Sequence, residues 1–194
     1  EFHAVTPDLA DFERIEGLWQ RANDPRRGTE FVVRELLLPY LRSSHEDLGR
    51  AVEGADLLIT HPLTYAAPIV AEQQQVAWIS TALSPITFFS AYDPPVLAPL
   101  AFLGRLRFLG PSFFRPLFKL LRRGARAWSK PILELRSELG LPPPAGNPVL
   151  DGQFSPWLTL ALFSSVIGSA QPDWPATVRI TGFPFYDLDE TPPE

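Results

Sequence analysis

The segment 55–85 constrains the fold of this chain more than any other. It predicts a strand over Asp56–Thr60, a helix over Leu63–Gln73 and a second strand over Val76–Ser80. Pro62 ends the first strand because it has no backbone N–H to donate. Two strands joined by a helix pair in parallel through a right-handed crossover, so the segment predicts an α/β fold.

A ligand site is expected just beyond these two strands. Ligands of open parallel sheets collect outside the carboxyl ends of the strands, which here are Thr60-His61 and Ser80–Ser84. A largely apolar loop with a few polar groups follows the second strand, and that mixture is typical of small-molecule pockets. The candidate binding residues near the two strand ends are His61, Thr64, Tyr65, Ser84, Thr87, Phe88, Phe89, Tyr92 and Asp93.

Some of these assignments have a structural alternative. His61 titrates near neutral pH and is the best candidate for a catalytic group, but a residue that ends a strand can also bond the backbone. Phe88, Phe89 and Tyr92 wall a pocket in one interpretation and fold onto the core of the domain in the other. His45 lies on the apolar stripe of its helix and is interpreted as a core or boundary residue.

Composition predicts neither a metal nor a cofactor. The three histidines are far apart in sequence, and the chain has no cysteine, so no thiolate site is available. A net charge of −5 argues against a nucleic-acid partner. The sequence contains no signal peptide and no apolar run of the ~20 residues needed to span a bilayer, so we expect a cytoplasmic protein.

The remaining segments alternate between helices and strands. The predicted helices are Phe12–Gln20, Glu30–Glu53 (capped by Thr29, kinked at Pro39 and ended by Gly54) and Arg105–Gly140 (broken near Gly110 and at Pro131). The further predicted strands are Phe2–Val5, Leu158–Phe163 and Val178–Thr181. This alternation predicts an α/β fold with a Rossmann-like parallel sheet and helices on both faces.

The segment Arg105–Arg136 is strongly basic. It holds nine of the seventeen Lys and Arg residues and a single acidic residue, Glu134, interleaved with aromatic and aliphatic side chains. A basic amphipathic helix can lie on an anionic membrane surface, which predicts a peripheral membrane contact. In the alternative interpretation its apolar stripe packs inward and its basic face is solvated.

The chain of 194 residues fits one domain and contains no methionine, so residue 1 is not an ordinary translation start. We therefore expect a piece of a longer protein. In this hypothesis residues 1–187 form one domain that lacks its first strand–helix unit, and residues 188–194 begin an interdomain linker.

Three stretches resemble a known family. They are ADLLITHPLTYAAPIVAE, VAWISTALSPITFFSAYDPP and PDWPATVRITGFPFYD, in that order. The series is similar to the amino-terminal, acceptor-binding domain of GT-B glycosyltransferases of the family 1 type, in the bacterial branch of sterol glucosyltransferases and rhamnosyltransferases. The resemblance runs from Phe2 to about Asp187 and is most specific at Asp173-Trp174-Pro175, a turn for which we expect a structural role with Trp174 buried.

The resemblance implies a sugar transfer across a cleft between two Rossmann-like domains. This chain would bind a hydrophobic acceptor, and a carboxyl-terminal domain would hold the nucleotide sugar, so the chain alone would be inactive. Related enzymes carry an aspartate just after the fourth strand, where it orients a catalytic histidine. The matching position here is His61, which cannot act as that carboxylate and is expected to bond the acceptor hydroxyl or line its pocket. The family's general base is expected outside this chain.

Two other hypotheses stay open. A non-catalytic lipid-binding module, or a separately encoded half that needs a donor-domain partner, would keep the same fold without transferring a sugar alone. An unrelated doubly wound α/β domain would share the parallel strands by chance.

Overall fold

A computed structural model of the chain describes residues 2–8, 12 and 15–185. The α-helices are α1 (Leu18–Ala22), α2 (Gly28–Phe31), α3 (Leu41–Ala51), α4 (Ala67–Gln74), α5 (Gly110–Gly124) and α6 (Lys130–Glu138). A π-helix covers Val32–Leu37, and 3₁₀-helices cover Leu38–Tyr40, Pro85–Phe88, Ala98–Leu109 and Ala125–Ser129. The strands are β1 (Leu57–Thr60), β2 (Ala77–Ala82), β3 (Leu158–Ala161) and β4 (Val178–Ile180).

The four strands form one parallel sheet in the order β1-β2-β3-β4. The register aligns Thr60 with Ser80, Ser80 with Thr159, and Thr159 with Val178. The predicted parallel pairing of the first two strands is therefore confirmed, and so is the α/β class. Because paired residues point to the same side, the register divides the sheet into two faces.

One side, here called the closed face, is covered by the core. Its residues on the first three strands are all buried: Leu58, Thr60, Trp78, Ser80, Ala82, Thr159 and Ala161. Val178 and Ile180 of β4 lie on the same face and are partly buried. Leu58 and Trp78 pack with apolar residues of α3, α4 and α6, including Leu48, Ile69 and Ile132. This is the arrangement expected for helices that connect parallel strands.

Buried hydroxyls tie the strands together on the closed face. The Trp78 Nε1 donates to Thr60 Oγ1 at 2.7 Å, and the Ser80 and Thr159 hydroxyls are 2.8 Å apart. The Ser155 amide donates to Ser80 Oγ at 2.9 Å, and the Ser155 hydroxyl donates to the Trp78 carbonyl oxygen at 2.5 Å. These polar groups are tolerated in the core because each has a partner.

The other side, here called the open face, is much less covered. Its residues Leu57 and Ile59 are 46% and 56% exposed, although both are apolar. Ile79, Leu158 and Leu160 are partly buried, and only Thr81, at the end of β2, is fully buried. The strand order explains the difference, since right-handed crossovers that advance in one direction across a sheet all lie on the same face.

The amino-terminal segment departs from the sequence-based expectation. Phe2–Val5 was predicted as a strand, but residues 2–5 are not assigned to the sheet. The Thr6 amide and hydroxyl instead donate to Asp47 Oδ2 of α3, at 3.0 and 2.5 Å. A strand needs a paired neighbour, and residues 2–5 pair with neither edge of the sheet. Of the predicted helix Phe12–Gln20, the described residues show a helical Phe12 and the helix Leu18–Ala22, and positions 13 and 14 lie outside the described residues.

The predicted helix Glu30–Glu53 is observed as a continuous helical run from Gly28 to Ala51. Its π and 3₁₀ turns surround Pro39, which confirms the predicted irregularity there. Thr29 lies inside the helix and does not cap it, so that prediction is wrong. The turn before the helix is closed by Asp24 Oδ1, which accepts the Arg26 and Arg27 amides at 2.8 and 2.7 Å. These bonds lower the pKa of Asp24.

The later boundaries follow the local breaker residues. Gly54 lies just past the helix with a φ of 77°, a conformation that glycine adopts without strain. The helix predicted from Leu63 begins four residues later, at Ala67, because residues 61–66 form turns in which the Thr64 amide donates to the His61 carbonyl oxygen. The run from Ala98 to Glu138 breaks at Gly110 and restarts with Pro131 in the first turn of α6, as predicted.

Candidate site at the carboxyl ends of the strands

The loop after β2 is held in place by the turn that precedes β4. The Asp173 carboxylate accepts the Ser90 hydroxyl at 2.6 Å and the Ala91 amide at 2.7 Å. Trp174 is buried and stacks on Phe88 with ring centroids 4.3 Å apart. The structural role predicted for this turn is confirmed. The hydrogen bonds of Asp173 and the stacking of Trp174 on Phe88 together hold the loop after β2 in place.

The three aromatic residues of this loop have different environments. Phe88 is buried in a cluster with Ala82 and Trp174, so it packs on the core as in the alternative interpretation. Phe89 is partly buried with its ring 6.0 Å from that of Phe118 in α5. Tyr92 is exposed, and its hydroxyl accepts a hydrogen bond of 2.5 Å from Arg115.

A first pocket lies beside the end of β2. It has a volume of about 190 Å³ and is lined by Ser84, Pro85, Ile86, Asp93, Pro95, Val96 and Arg107. Arg107 lies 3.7 Å from the Asp93 carboxylate and donates to the Pro94 carbonyl oxygen at 2.7 Å. Two of the predicted site residues, Ser84 and Asp93, are thus brought together at one opening.

A second pocket lies between the middle of the same loop and α5. It has a volume of about 200 Å³ and is lined by Phe88, Phe89, Ala91, Arg115, Phe118, Arg122 and Asp173. Predicted residues Phe88 and Phe89 form part of its wall, while Thr87 lies between the two openings in sequence and lines neither. Side chains of the basic segment form part of the wall of each pocket.

The end of β1 is organised differently. His61 is exposed, and its Nδ1 accepts the Leu63 amide at 3.2 Å, so one ring nitrogen already bonds the backbone. Desolvation by its surroundings lowers the pKa of His61 from 6.5, which keeps the ring neutral at physiological pH. Burial raises the pKa of Tyr65 to about 12, and Thr64 is half-buried beside it. His61, Thr64 and Tyr65 line neither of the two pockets.

Larger openings occur elsewhere but have no sheet residue in their walls. One of about 810 Å³ is lined by residues within 12–20, and one of about 620 Å³ by residues within 20–35. The charges of the second are largely engaged, because Arg21 pairs with Glu35 and lies 3.9 Å over the Phe31 ring. We place the candidate site at the strand ends because topology, not volume, decides where ligands of such sheets bind.

The basic residues that line the two pockets were all missed by sequence reasoning: Arg107, Arg115 and Arg122. All three belong to the basic segment, which was treated as a helix surface. Arg115 and Arg122 are seven residues apart in α5, close to two helical turns, and this is the one sequence signal that they share a side. Arg107 belongs to the separate 3₁₀-helix before Gly110. Only the fold shows that these residues face the loop after β2, where they line the two pockets.

Within the described residues, no group of three His, Cys, Asp or Glu side chains is placed to hold a metal ion. Over the same residues, no helix combines the length and apolar character needed to cross a bilayer. His45 lies at the edge of the core with Nε2 2.8 Å from Gln73 Oε1, which agrees with its interpretation as a boundary residue.

Comparison of the sequence with protein-family models and with curated proteins finds no match.

Proposed function

We propose that this chain is the acceptor-binding part of a GT-B glycosyltransferase. Its parent protein transfers a sugar from a nucleotide-sugar donor to a hydroxyl of a hydrophobic acceptor, such as a lipid, a sterol or another natural product. The observation that carries the proposal is the pair of pockets beyond the carboxyl end of β2. That edge is where ligands of open parallel sheets bind.

The chemistry of the two pockets suits such an acceptor. Ile86 and Val96 in the first pocket, and Phe89 and Phe118 in the second, supply apolar walls. In the first pocket the Asp93 carboxylate, half-exposed beside Arg107, can accept the hydrogen of an acceptor hydroxyl. Apolar walls with a few convergent polar groups are typical of small-molecule sites.

The residue that we propose to contact the acceptor hydroxyl during catalysis lies outside the two pockets. His61 is the best candidate within this chain, because Nε2 has no hydrogen-bond partner among the described residues while Nδ1 is held by the Leu63 amide. In this hypothesis Nε2 contacts the acceptor hydroxyl. The general base and the carboxyl-terminal nucleotide-sugar domain are supplied by the rest of the parent protein.

The size of the pockets favours a second candidate function. Each holds about 200 Å³, below the roughly 300–1,000 Å³ of most ligand sites, so this chain alone encloses only part of a lipid-sized molecule. Two other kinds of protein fit pockets of this size. One is a separately encoded half that binds its ligand together with a donor-domain partner, and the other is a non-catalytic lipid-binding module.

Calorimetric titration of the chain tests the proposal. We expect weak binding of an apolar hydroxylated ligand, such as a sterol or a hydroxy fatty acid, and no binding of a nucleotide sugar. Asp93→Ala should weaken the apolar ligand about fivefold or more through the lost hydrogen bond. Glu53→Ala, which removes an exposed carboxylate far from the pockets in sequence, is the matched control. Tight nucleotide-sugar binding by this chain would overturn the proposal.

The parent reading frame separates the two candidates. A second α/β domain with a nucleotide-sugar site after residue 194 would support the transferase. A frame that closes near residue 194 would leave the separately encoded half or the lipid-binding module.

A further inference from the structure

The segment between the two pockets and α6 has an unusual charge distribution. Eight of the seventeen Lys and Arg residues, and none of the 22 Asp and Glu residues, lie between positions 94 and 133. The rest of the chain is therefore strongly acidic. Such an asymmetry in an acidic protein orients it toward an anionic partner.

The apolar stripe of α5 is already used in the core. Phe114 and Phe118 are buried, and Leu117 and Leu121 pack beside them against Leu103 of the preceding 3₁₀-helix. The alternative interpretation of the basic segment is thus correct for these residues, and any contact with a partner must be made by other side chains.

A second row of side chains points away from that core. Phe102, Arg105 and Phe108 follow one another at intervals of three in the 3₁₀-helix Ala98–Leu109, where such residues lie in one row. Phe102 is 60% and Phe108 is 79% exposed. Arg105, between them, is exposed and has no hydrogen-bond or ion-pair partner among the described residues.

The solvent face of α5 continues this pattern. Leu120 is 64% exposed, and it lies between Lys119 and Arg123, which are exposed and have no carboxylate partner in the described part of the chain. The two rows lie on elements that contact each other, the 3₁₀-helix and α5. We call these six residues the basic aromatic surface: Phe102, Arg105, Phe108, Lys119, Leu120 and Arg123.

We propose that the basic aromatic surface docks this chain onto an anionic lipid bilayer. Aromatic and aliphatic tips enter the headgroup region while unpaired cations meet anionic headgroups, the pattern of helices that lie on membranes. The charge complementarity argues for this occupant over a symmetric contact between two copies of the chain, because the same basic residues on the two copies would repel. The docking stands independently of the proposed sugar transfer.

Vesicle co-sedimentation of the full chain tests the docking. We expect binding to phosphatidylcholine vesicles containing about 30% phosphatidylglycerol, little binding to pure phosphatidylcholine, and release as salt rises. Lys119→Glu with Arg123→Glu should lower the partition coefficient by at least about 25-fold, at roughly fivefold per basic residue. Arg26→Glu with Arg27→Glu changes the net charge by the same amount on another exposed segment and should have much less effect.

The absence of cysteine allows a test of orientation. A fluorophore sensitive to polarity, attached to Phe108→Cys, should shift to the blue with anionic vesicles. The same label at Trp157→Cys, a position 76% exposed before β3, should not shift. Equal binding to neutral vesicles, equal losses in the two charge-reversal variants, or a blue shift at Phe108→Cys that follows protein concentration without lipid would each overturn the proposal.

Discussion

The two faces of the sheet are built from the same four strands, yet they differ in cover and in chemistry. Leu58 and Ile59 are neighbours on β1 that point to opposite faces, and their exposures are 8% and 56%. The closed face also contains bonded hydroxyls, whereas the exposed open-face residues of β1 are purely aliphatic. The difference shows that the direction of winding, rather than the hydrophobicity of a strand, decides which side is covered.

An uncovered apolar face on a parallel sheet is unusual. Parallel sheets normally have both faces covered, and in doubly wound folds the second face is covered by helices that wind in the opposite direction from the switch point. The edge of β1 and the open face together are therefore the surface on which such elements would pack. This observation supports, under the proposed function, a larger sheet in the parent protein.

The largest effect should come from truncating the two neighbours on β1. Leu58→Ala should lower the free energy of unfolding by about 2–5 kcal/mol, because it leaves a cavity beside Trp78. Ile59→Ala should cost much less, about 0.5 kcal/mol, since Ile59 is already 56% exposed. Urea denaturation of both variants measures the difference. Equal losses would show that the open face is covered in solution.

The next largest effect on stability should come from the loop after β2, at the carboxyl end of the closed face. Asp173→Ala removes both anchors of the loop after β2, at Ser90 and Ala91, and should cost about 1–3 kcal/mol. Exchange of the Ala91 amide with solvent should accelerate in the same variant. Asp56→Ala, at the other end of the sheet, is the control and should change neither quantity. An unchanged exchange rate at Ala91 would contradict the anchoring role of Asp173.

How far the sequence predicts this architecture depends on the range of the interactions. The strands around Thr60 and Ser80 and the breaks at Gly110 and Pro131 were predicted because periodicity and breaker residues act locally. The contrast between the two faces was not predicted from the sequence. It depends on the order in which the four strands lie in the sheet, and these strands are distant in sequence. Strand composition alone does not contain that order.

The candidate site shows the same limit. Ser84 and Asp93 were predicted as site residues from their position after a strand, and they line one pocket. Arg107 joins them from the 3₁₀-helix Ala98–Leu109, and no local pattern in the sequence indicates that contact. The anchor of Ser90 lies 83 residues further along the chain, at Asp173. Pairings over such distances leave no periodic signal in a single sequence.

A smaller effect is expected on the open face itself. Leu57→Lys places a charge where the side chain is already 46% exposed, so the free energy of unfolding should change by about 0.5 kcal/mol or less. Binding of a hydrophobic dye to the native protein should decrease, because the apolar patch becomes smaller. Loss of the folded state in this variant would mean that the face is buried, and the contrast between the two faces would fail.

The smallest effect is the titration of His61, the residue that directly follows β1. Its pKa is lowered from 6.5 by desolvation, so the unfolded chain binds the proton at a higher pH than the folded chain. His61 therefore lowers stability as pH falls through about 6.5, and this penalty stops growing once pH is below the folded pKa. NMR titration of the His61 imidazole should give a midpoint below 6.5. His61→Gln should remove the loss of stability that begins as pH falls through about 6.5. A midpoint above 6.5 would place an acidic group beside the edge of β1.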